Sequence, residues 1–262
     1  MKQKWQIKIA RSLGDGFAGT FYDAWGVVKY SDPEAPTVFA GMYGLPDYCN
    51  FRSHRGKKMI WWAGSDLRHF SEGWWIDDKG KQRVNPKDFV PYLKKFENWV
   101  ENTVEADLLK KLGIKAKVCP SFLGDVKDFP KLNKFIKNSY YSSVSGDDFL
   151  LYGWDKIGDI AWKNPDVDYY LYGSSFKQGF LMKELNAFPD NVHIMGRVSR
   201  EEMNRQTKLM TGAIRMVEFE GFSEIIAKSI LWGQKPISLI PYKYNRETLL
   251  KCVNRYPWNS KK

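Results

Sequence analysis

The sequence is poor in the residues that mark disulfide-stapled, metal-binding and membrane-spanning proteins. Its 262 residues include three cysteines and three histidines without paired or ligand spacing, so neither a disulfide framework nor a metal site is predicted. No apolar run approaches the roughly 20 residues that cross a bilayer, and the first residues lack the apolar core of a secretory signal. We therefore expect a cytoplasmic protein without a bound metal, and the 43% of hydrophobic residues exclude a disordered chain.

Positive charge is in excess, and it is concentrated towards the two ends of the chain. The net charge is +11, from 41 Lys and Arg against 30 Asp and Glu. Residues 1–122 carry 20 basic and 14 acidic residues, residues 123–240 carry 15 of each, and residues 241–262 carry six basic residues and one acidic residue. A basic surface attracts nucleic-acid phosphates or acidic lipid headgroups, although a lysine-rich surface also serves solubility alone.

Strand-like and helix-like segments alternate twice along the chain, which predicts two α/β domains with parallel sheets. Apolar runs predict strands over residues 5–10, 37–41, 58–63, 114–118, 167–172, 192–196, 213–217 and 236–240. Periodicity and capping residues predict helices over residues 20–30, 88–112, 157–162, 199–209, 224–231 and 246–252. Residues 42–57 are predicted to form a loop. Residues 121–148, which match neither period, are predicted to connect the domains.

Two short motifs have competing interpretations. Gly14–Gly19 forms a G-x-G-x-x-G after a predicted strand, with Glu34 near the position of a ribose-binding acid. Because Glu34 lies in a turn, we favour a glycine-rich turn facing a cleft over an NAD site. Asp166–Asp168 has the D-x-D form that holds a metal in some sugar-transferring enzymes, but it precedes a strand, whereas sites in open α/β sheets follow strands. We interpret it as surface.

The most informative segment is the turn Glu220-Gly221-Phe222-Ser223, which lies between a predicted strand and a predicted helix. The turn places a carboxylate and backbone amides at a helix N-terminus. Such a terminus binds phosphate, and a carboxylate accepts hydrogen bonds from sugar hydroxyls. A plain capping turn has the same spacing.

Other segments extend the pattern in a consistent order along the chain. They are Gly64–Arg68 after an apolar strand, Val104–Ser121, Asp166–Gly173 and Asn191–Val198. Together with the turn they resemble GT-B glycosyltransferases, especially the family-4-like enzymes. The resemblance implies an α/β fold of two Rossmann-like domains with parallel sheets facing a cleft. It places an acceptor-binding domain over residues 1–122, onto which a C-terminal helix (246–262) packs back, and a nucleotide-sugar-binding domain over residues 123–245.

The resemblance also implies roles for individual residues. Glu220 would contact the donor sugar, and Asp66 would act as acid, base or acceptor-orienting group. The donor-binding set would be Lys156, Gly196, Arg197, Val198, Arg215, Gly221, Phe222 and Ser223. Amides of the turn would hold the diphosphate, Gly196–Val198 would line the base pocket, and Arg215 would lie beside the phosphates.

The implied reaction moves a sugar from a nucleotide-diphosphate sugar to an acceptor hydroxyl, with retention of configuration. A helix N-terminus and cations stabilise the leaving diphosphate in such sites, so neither a metal nor a cofactor is expected, and no stable protein partner is implied. The chain departs from the family at Lys228, where the family has a ribose-binding Glu. The Arg and Lys pair that usually neutralises the leaving diphosphate is not evident, and Lys156 and Arg197 are the available cations.

The charge distribution leads to two candidate acceptors on the N-terminal half. The cleft and acceptor set is Gly14, Asp15, Gly16, Arg52, Arg55 and Arg68. One candidate is hydroxymethylated DNA, the acceptor of the GT-B enzymes with which some bacteriophages glucosylate their own genomes. Its phosphates would be bound by Arg52, His54, Arg55, Lys57 and Lys58, and an extruded base would stack on Trp61, Trp62, Trp74 and Trp75. The other candidate is a membrane or cell-envelope glycan, for which basic residues would hold the enzyme at an anionic membrane face. A non-catalytic nucleotide- or nucleic-acid-binding protein on the same scaffold stays open, favoured by Lys228.

Overall fold

Two parallel β-sheets with intervening helices make up the fold. The computed structural model describes residues 4–13, 18–73, 75–76, 83–144, 149–173 and 188–260. The chain divides into two compact units. Unit 1 comprises Met1–Asp125, Phe219–Phe222 and Lys251–Lys262, and unit 2 comprises Val126–Glu218 and Ser223–Leu250. The short segment Phe219–Phe222 thus belongs to unit 1 although both of its ends continue into unit 2.

Unit 1 contains a six-stranded sheet in the order β2-β1-β3-β4-β7-β8, with every neighbouring pair parallel. Its strands are β1 (Gln6–Ile9), β2 (Val28–Lys29), β3 (Thr37–Ala40), β4 (Lys58–Trp61), β7 (Glu97–Val100) and β8 (Ala116–Val118). Its helices are α1 (Ala18–Trp25), α2 (Leu45–Ser53), α3 (Ser65–Ser71), α4 (Val90–Leu93) and α5 (Thr103–Lys111). A small antiparallel pair joins β5 (Trp75–Ile76) to β6 (Arg83–Val84). Short 3₁₀ turns lie at Arg11–Leu13, Pro86–Phe89 and Val126–Asp128.

The inner strands of unit 1 are buried on both faces, as parallel sheets require. All four residues of β3 are buried. Phe39 and Ile60 pack into one apolar cluster, whereas Val38 and Met59 pack into the cluster on the opposite face. Successive side chains therefore alternate between two cores, which is the period of two expected for a strand.

Unit 2 contains a five-stranded parallel sheet in the order β11-β10-β9-β12-β13. Its strands are β9 (Ser139–Ser143), β10 (Asp168–Tyr172), β11 (Val192–Gly196), β12 (Gly212–Arg215) and β13 (Ile237–Ser238). The helices are α6 (Trp154–Lys163), α7 (Arg200–Thr207) and α8 (Glu224–Trp232), followed by α9 (Arg246–Cys252). The buried residues Tyr169 and Leu171 of β10 pack with Trp154 and Ile157 of α6. Chain order reverses at β9, which places a topological switch point between β9 and β12.

Three of the predicted elements are wrong. The helix predicted over residues 88–112 is a 3₁₀ turn and α4, the strand β7, and then α5. The apolar spacing of this segment fits a helix, but Trp99 and Val100 lie in the inner strand β7. Asn98 holds this strand in place, because its side chain accepts from Trp62 Nε1 at 3.0 Å and donates to the Leu93 carbonyl at 3.1 Å. The predicted loop over 42–57 contains α2, and the helix predicted over 20–30 ends at Trp25 and is followed by the strand β2 at Val28–Lys29. The predicted connection over 121–148 includes the boundary between the two units, at Asp125 and Val126, and it also contains β9.

The remaining strands and helices are confirmed, with ends shifted by a few residues. Two elements have the predicted bounds, namely Val192–Gly196 and Arg246–Cys252. Ser199 caps α7 by accepting from Glu202 N at 3.1 Å. In the described part of the chain, no helix has the length and apolarity that crossing a bilayer would need.

Candidate functional site

A cavity of about 320 Å³ lies in unit 2 at the carboxyl ends of β9, β10 and β11. It is lined by Ser143, Val144, Tyr172, Gly173, Arg197, Val198 and Met203. Ligands of open α/β sheets bind outside the carboxyl ends of the strands, near the switch point. The cavity therefore lies where the topology predicts a ligand site, and it includes two of the three residues expected to line a base pocket.

The shape of the cavity depends on a glycine that follows β10. Gly173 has φ +95, and a Cβ there would come within 2.2 Å of the Val144 carbonyl oxygen. Its N–H donates to the Gly196 carbonyl at 2.8 Å, and its own carbonyl accepts from Arg197 Nε at 2.8 Å. These hydrogen bonds join the end of β10 to the end of β11 beside the cavity.

Arg215, at the end of β12, supplies a buried positive charge beside this cavity. The residue is 7% exposed, its Nη1 donates to the carbonyl of Ser143 in the cavity wall, and its guanidinium lies 4.3 Å from the centre of the Tyr152 ring. Lys156, the other cation expected near phosphate, forms an ion pair with Glu218 at 2.6 Å. A guanidinium fixed on two sides keeps its position when an anion binds, which suits phosphate recognition.

The turn Glu220–Phe222 is held inside unit 1. Asn102 Nδ2 donates to the carbonyls of Glu220 and Gly221 at 2.9 and 3.2 Å, and Glu101 Oε2 accepts from the Phe222 amide at 2.9 Å. The Phe222 amide, predicted to hold a diphosphate, therefore already donates to a carboxylate in this structure. Glu220 itself is half-buried, and Ser223 is the N-cap residue of α8.

Asp66, for which the resemblance implied a role as acid, base or acceptor-orienting group, is enclosed by unit 1 in this structure. The side chain is fully buried and accepts from the backbone amides of Met42 at 2.8 Å, Ala63 at 2.9 Å and Leu67 at 2.8 Å. Burial raises its pKa to about 7, against the lowering effect of these amides. The carboxylate organises the start of α3, and its surroundings give no support to the predicted acid–base role. Arg68, on the same helix, is half-buried.

The basic and aromatic residues expected to bind DNA are engaged within unit 1. Lys58 Nζ donates to the carbonyls of Phe51 and His54 at 2.7 and 2.6 Å, where α2 ends. Arg55 forms an ion pair with Glu34, both exposed, and Arg52 is exposed. The described tryptophans of the proposed stacking platform are core residues, with exposures of 5%, 0% and 0% for Trp61, Trp62 and Trp75. The prediction of an aromatic platform is wrong for these three.

Some predicted positions lie outside the described residues. These are Gly14, Asp15 and Gly16, together with Trp74. Of the donor set, Arg197 and Val198 line the cavity, and Arg215 donates to the carbonyl of Ser143 in the cavity wall. Gly221 and Phe222 belong to unit 1. Their roles towards a ligand stay predictions.

Lys228, which stands where a ribose-binding Glu was expected, is buried on α8. It is 7% exposed, donates to Asn204 Oδ1 at 2.9 Å and lies 5.8 Å from the centre of the Phe129 ring. Burial lowers its pKa, with Glu224 the largest opposing influence. These contacts join α7 to α8, and within the described residues they account for the side chain as part of the packing of unit 2.

Sequence reasoning missed Glu101 and Asn102, which hold the turn, and Glu105, which accepts from Glu101 N. They follow β7, and since β7 was predicted as part of a helix, their position at the carboxyl end of a strand was hidden. Two acids and an Asn directly after an apolar run Trp99–Val100 are the signal that could have found them, because strand ends carry the functional residues of such sheets. Across the described ranges, no group of three or more His, Cys, Asp and Glu has a metal-binding arrangement.

No family model and no curated protein matches the sequence, but solved structures match the fold. TarM superimposes with a TM-score of 0.57 at 12% identity, over 82% of this chain and 43% of TarM. A mutant of TarM from S. aureus, in complex with fondaparinux, alpha-GlcNAc-glycerol and UDP, gives 0.52 at 13% identity, over 81% and 43%. The GtfA/B complex gives 0.50 at 15% identity, over 82% and 44%.

These likenesses define the class of fold. Two parallel α/β units in one chain are the architecture of GT-B glycosyltransferases, and this chain has that α/β architecture. The chain spans less than half the length of these three structures.

Proposed function

We propose that this chain transfers a sugar from a nucleotide-diphosphate sugar to an acceptor hydroxyl, with the nucleotide bound in the cavity of unit 2. The observation that carries the proposal is the cavity itself, at the carboxyl ends of three parallel strands, with the buried guanidinium of Arg215 bonded to its Ser143 wall. The fold supports it, since a TarM structure with the same architecture was determined with UDP.

The chemistry requires stabilisation of the leaving diphosphate, which gains negative charge as the sugar departs. Arg215 and Arg197 supply positive charge beside the cavity, and backbone amides at the start of α8 supply the positive end of a helix dipole. We infer that these groups serve in place of a metal. Glu220 would accept hydrogen bonds from donor-sugar hydroxyls, and retention of configuration follows from the family-4-like resemblance alone.

For the acceptor, burial favours a membrane or cell-envelope glycan over hydroxymethylated DNA. The DNA hypothesis needs aromatic rings that can reach an extruded base, and Trp61, Trp62 and Trp75 are buried in the core of unit 1. A glycan acceptor at an anionic membrane needs only the surplus of basic residues in 1–122 and 241–262. We therefore propose an enzyme that works in the cytoplasm at a membrane face.

The test compares binding and turnover in one set of proteins. Val198 lines the cavity and is 37% exposed, so Val198→Trp would fill the cavity with an indole ring. Leu209→Trp is the matched control, because Leu209 is 43% exposed in the same unit away from the cavity lining. Isothermal titration with UDP, GDP and ADP is expected to find one diphosphate that binds wild type and Leu209→Trp equally, and Val198→Trp about tenfold more weakly or worse.

Turnover separates the enzyme from the non-catalytic alternative. Release of free nucleoside diphosphate from one nucleotide sugar, in the presence of a chelator, would support a metal-independent transferase. Binding without release from any donor would favour a non-catalytic nucleotide-binding protein, the alternative that Lys228 raised. If no diphosphate binds wild type, or if Val198→Trp binds as well as wild type, the assignment of this cavity is wrong.

A further inference from the structure

We propose that Glu101 and Asn102 are positioning residues that set the place of the Glu220 carboxylate by holding the backbone of its turn. The inference rests on the proposed function, because it assigns these two residues to the reaction in which Glu220 takes part. Neither residue was expected from the sequence to belong to the site, and both follow β7 directly.

The turn is held at three consecutive residues. Asn102 donates to the carbonyls of Glu220 and Gly221, and Glu101 accepts from the amide of Phe222. The two holding side chains are 3% and 5% exposed. Hydrogen bonds at this depth have little competition from water, so they fix the peptide planes on both sides of Gly221.

Close packing adds a steric constraint to these hydrogen bonds. A Cβ on Gly221 would come within 1.9 Å of Glu101 Oε2, and a Cβ on Gly64 would come within 2.8 Å of the Gly221 nitrogen. The Glu220–Gly221 peptide thus lies against the Glu101 carboxylate and the Gly64 backbone. Gly221 is a glycine because Glu101 occupies the space of a side chain.

The Glu101 carboxylate is itself oriented by a second contact. Its Oε1 accepts a hydrogen bond from Ser121 Oγ, while its Oε2 contacts the turn. One oxygen is thereby anchored within unit 1 and the other is directed at Phe222, so the carboxylate cannot rotate without losing a bond.

The amide of Asn102 has two separable tasks. Its Oδ1 accepts from Glu105 N at 3.0 Å and caps α5, whereas its Nδ2 holds the turn. Ser serves about as well as Asn at an N-cap, but a Ser hydroxyl that accepts from Glu105 N is too short to reach the turn carbonyls as well. Asn102→Ser therefore removes the positioning bonds while preserving the cap of α5.

The first experiment measures kcat, the KM for the donor, the Kd for the diphosphate and the melting temperature of Asn102→Ser. We expect kcat to fall about tenfold or more, because small displacements of a reacting group are costly, while the Kd stays close to wild type. The melting temperature should fall by a few degrees, because the two turn carbonyls lose their buried donor. Thr103→Ser, the next residue at the same helix start, is the matched control and should retain wild-type kcat. Wild-type kcat in Asn102→Ser would overturn the proposal.

A double-mutant cycle tests the contact with Glu101 directly. Gly221→Ala is expected to abolish turnover, because its methyl group overlaps the carboxylate. In Glu101→Ala the overlap disappears, so Glu101→Ala with Gly221→Ala should be no less active than Glu101→Ala alone. Additive losses in the double variant would show that the two residues do not contact each other as described.

Hydrogen exchange at the Phe222 amide distinguishes failure of this inference from failure of the proposed function. The amide should be protected in wild type and exchange faster in Glu101→Ala, whatever reaction the chain performs. If wild type binds no diphosphate and transfers no sugar, the proposed function fails, and the positioning role fails with it. If wild type is active but Phe222 exchanges equally in both proteins, the positioning role alone is wrong.

Discussion

Glu105 gives the sharpest prediction about stability. The residue is fully buried, and its Oε2 accepts from Glu101 N at 2.8 Å. Its Oε1 has no hydrogen-bond partner among the residues that the structure describes. Burial raises its pKa well above 4.5, and the neighbouring acids Glu101 and Asp66 raise it further. Burial therefore favours the neutral carboxyl of Glu105 over the ionised form in the folded protein.

The magnitude follows from proton linkage. In the unfolded chain Glu105 ionises near its ordinary pKa, whereas the folded protein keeps the proton to higher pH. Stability is therefore fully present below the unfolded pKa and falls as pH rises, by about 1.4 kcal/mol for each pH unit between the two pKa values. Glu105→Gln has the shape of the protonated acid and no proton to lose. At pH values between the unfolded and the folded pKa, it should gain about 1.4 kcal/mol relative to wild type for each pH unit.

The assay is urea unfolding followed by tryptophan fluorescence at several pH values. Asp66, whose folded pKa is about 7, lowers stability with rising pH in both proteins, so the difference between them isolates Glu105. We expect similar midpoints near pH 5 and a progressively more stable Glu105→Gln above it. A difference that stays constant from pH 5 to 7 would refute the reasoning, because it would mean that Glu105 titrates alike in folded and unfolded chains.

Three further substitutions test other parts of the structure. Asp66→Asn should cost about 1–3 kcal/mol in urea unfolding, because an amide NH₂ cannot accept from the backbone donors now bound to the carboxylate; an unchanged midpoint would contradict this. Lys228→Met should change the free energy of unfolding by less than about 1 kcal/mol, because burial already disfavours the charged ammonium and water can reach Asn204. If the substitution instead costs more free energy of diphosphate binding than of unfolding, Lys228 belongs to the ligand site. Gly173→Ala should cost at least about 2 kcal/mol and weaken diphosphate binding, because its methyl group would meet the Val144 carbonyl at a positive φ, and normal binding by calorimetry would be evidence against the described cavity wall.

The elements that the sequence predicted well are those whose signal is local. Val192–Gly196 is a short apolar run that ends in glycine, and Ser199 followed by two acids marks a helix start that the structure shows capped. The strands β7 and β9 have no such signal. Tyr141 and Ser142 are fully buried in β9, and the hydroxyl of Tyr141 is satisfied by Gln234, 93 residues further along the chain. Only tertiary contacts make that segment a central strand.

The candidate site was predicted in part for the same reason. Arg197 and Val198 follow a recognisable strand, so their place at the cavity could be inferred from topology. The environment of Asp66 could not be inferred in this way, because its hydrogen-bond partners Met42 and Ala63 follow two strands, β3 and β4, that are distant in sequence from each other. Glu101 and Asn102 were missed because β7 was predicted as part of a helix. Residues in the middle of a helix are not expected at a ligand site, whereas residues after a strand are.

The contacts within unit 1 also change what its excess positive charge means. Of the five basic or titratable residues at 52–58, the structure buries His54, uses Lys58 to hold the carbonyls at the end of α2, and pairs Arg55 with Glu34. Each neutralised phosphate contributes about −0.9 to the salt dependence of DNA binding, so Arg52 and Lys57 alone would give a weak electrostatic attraction. A count of charges along a sequence overstates the attraction for a polyanion wherever the fold uses those charges internally. At residues 52–58 this lowers the expected attraction for DNA and for an anionic membrane alike, so the choice between the two acceptors depends on the buried tryptophans.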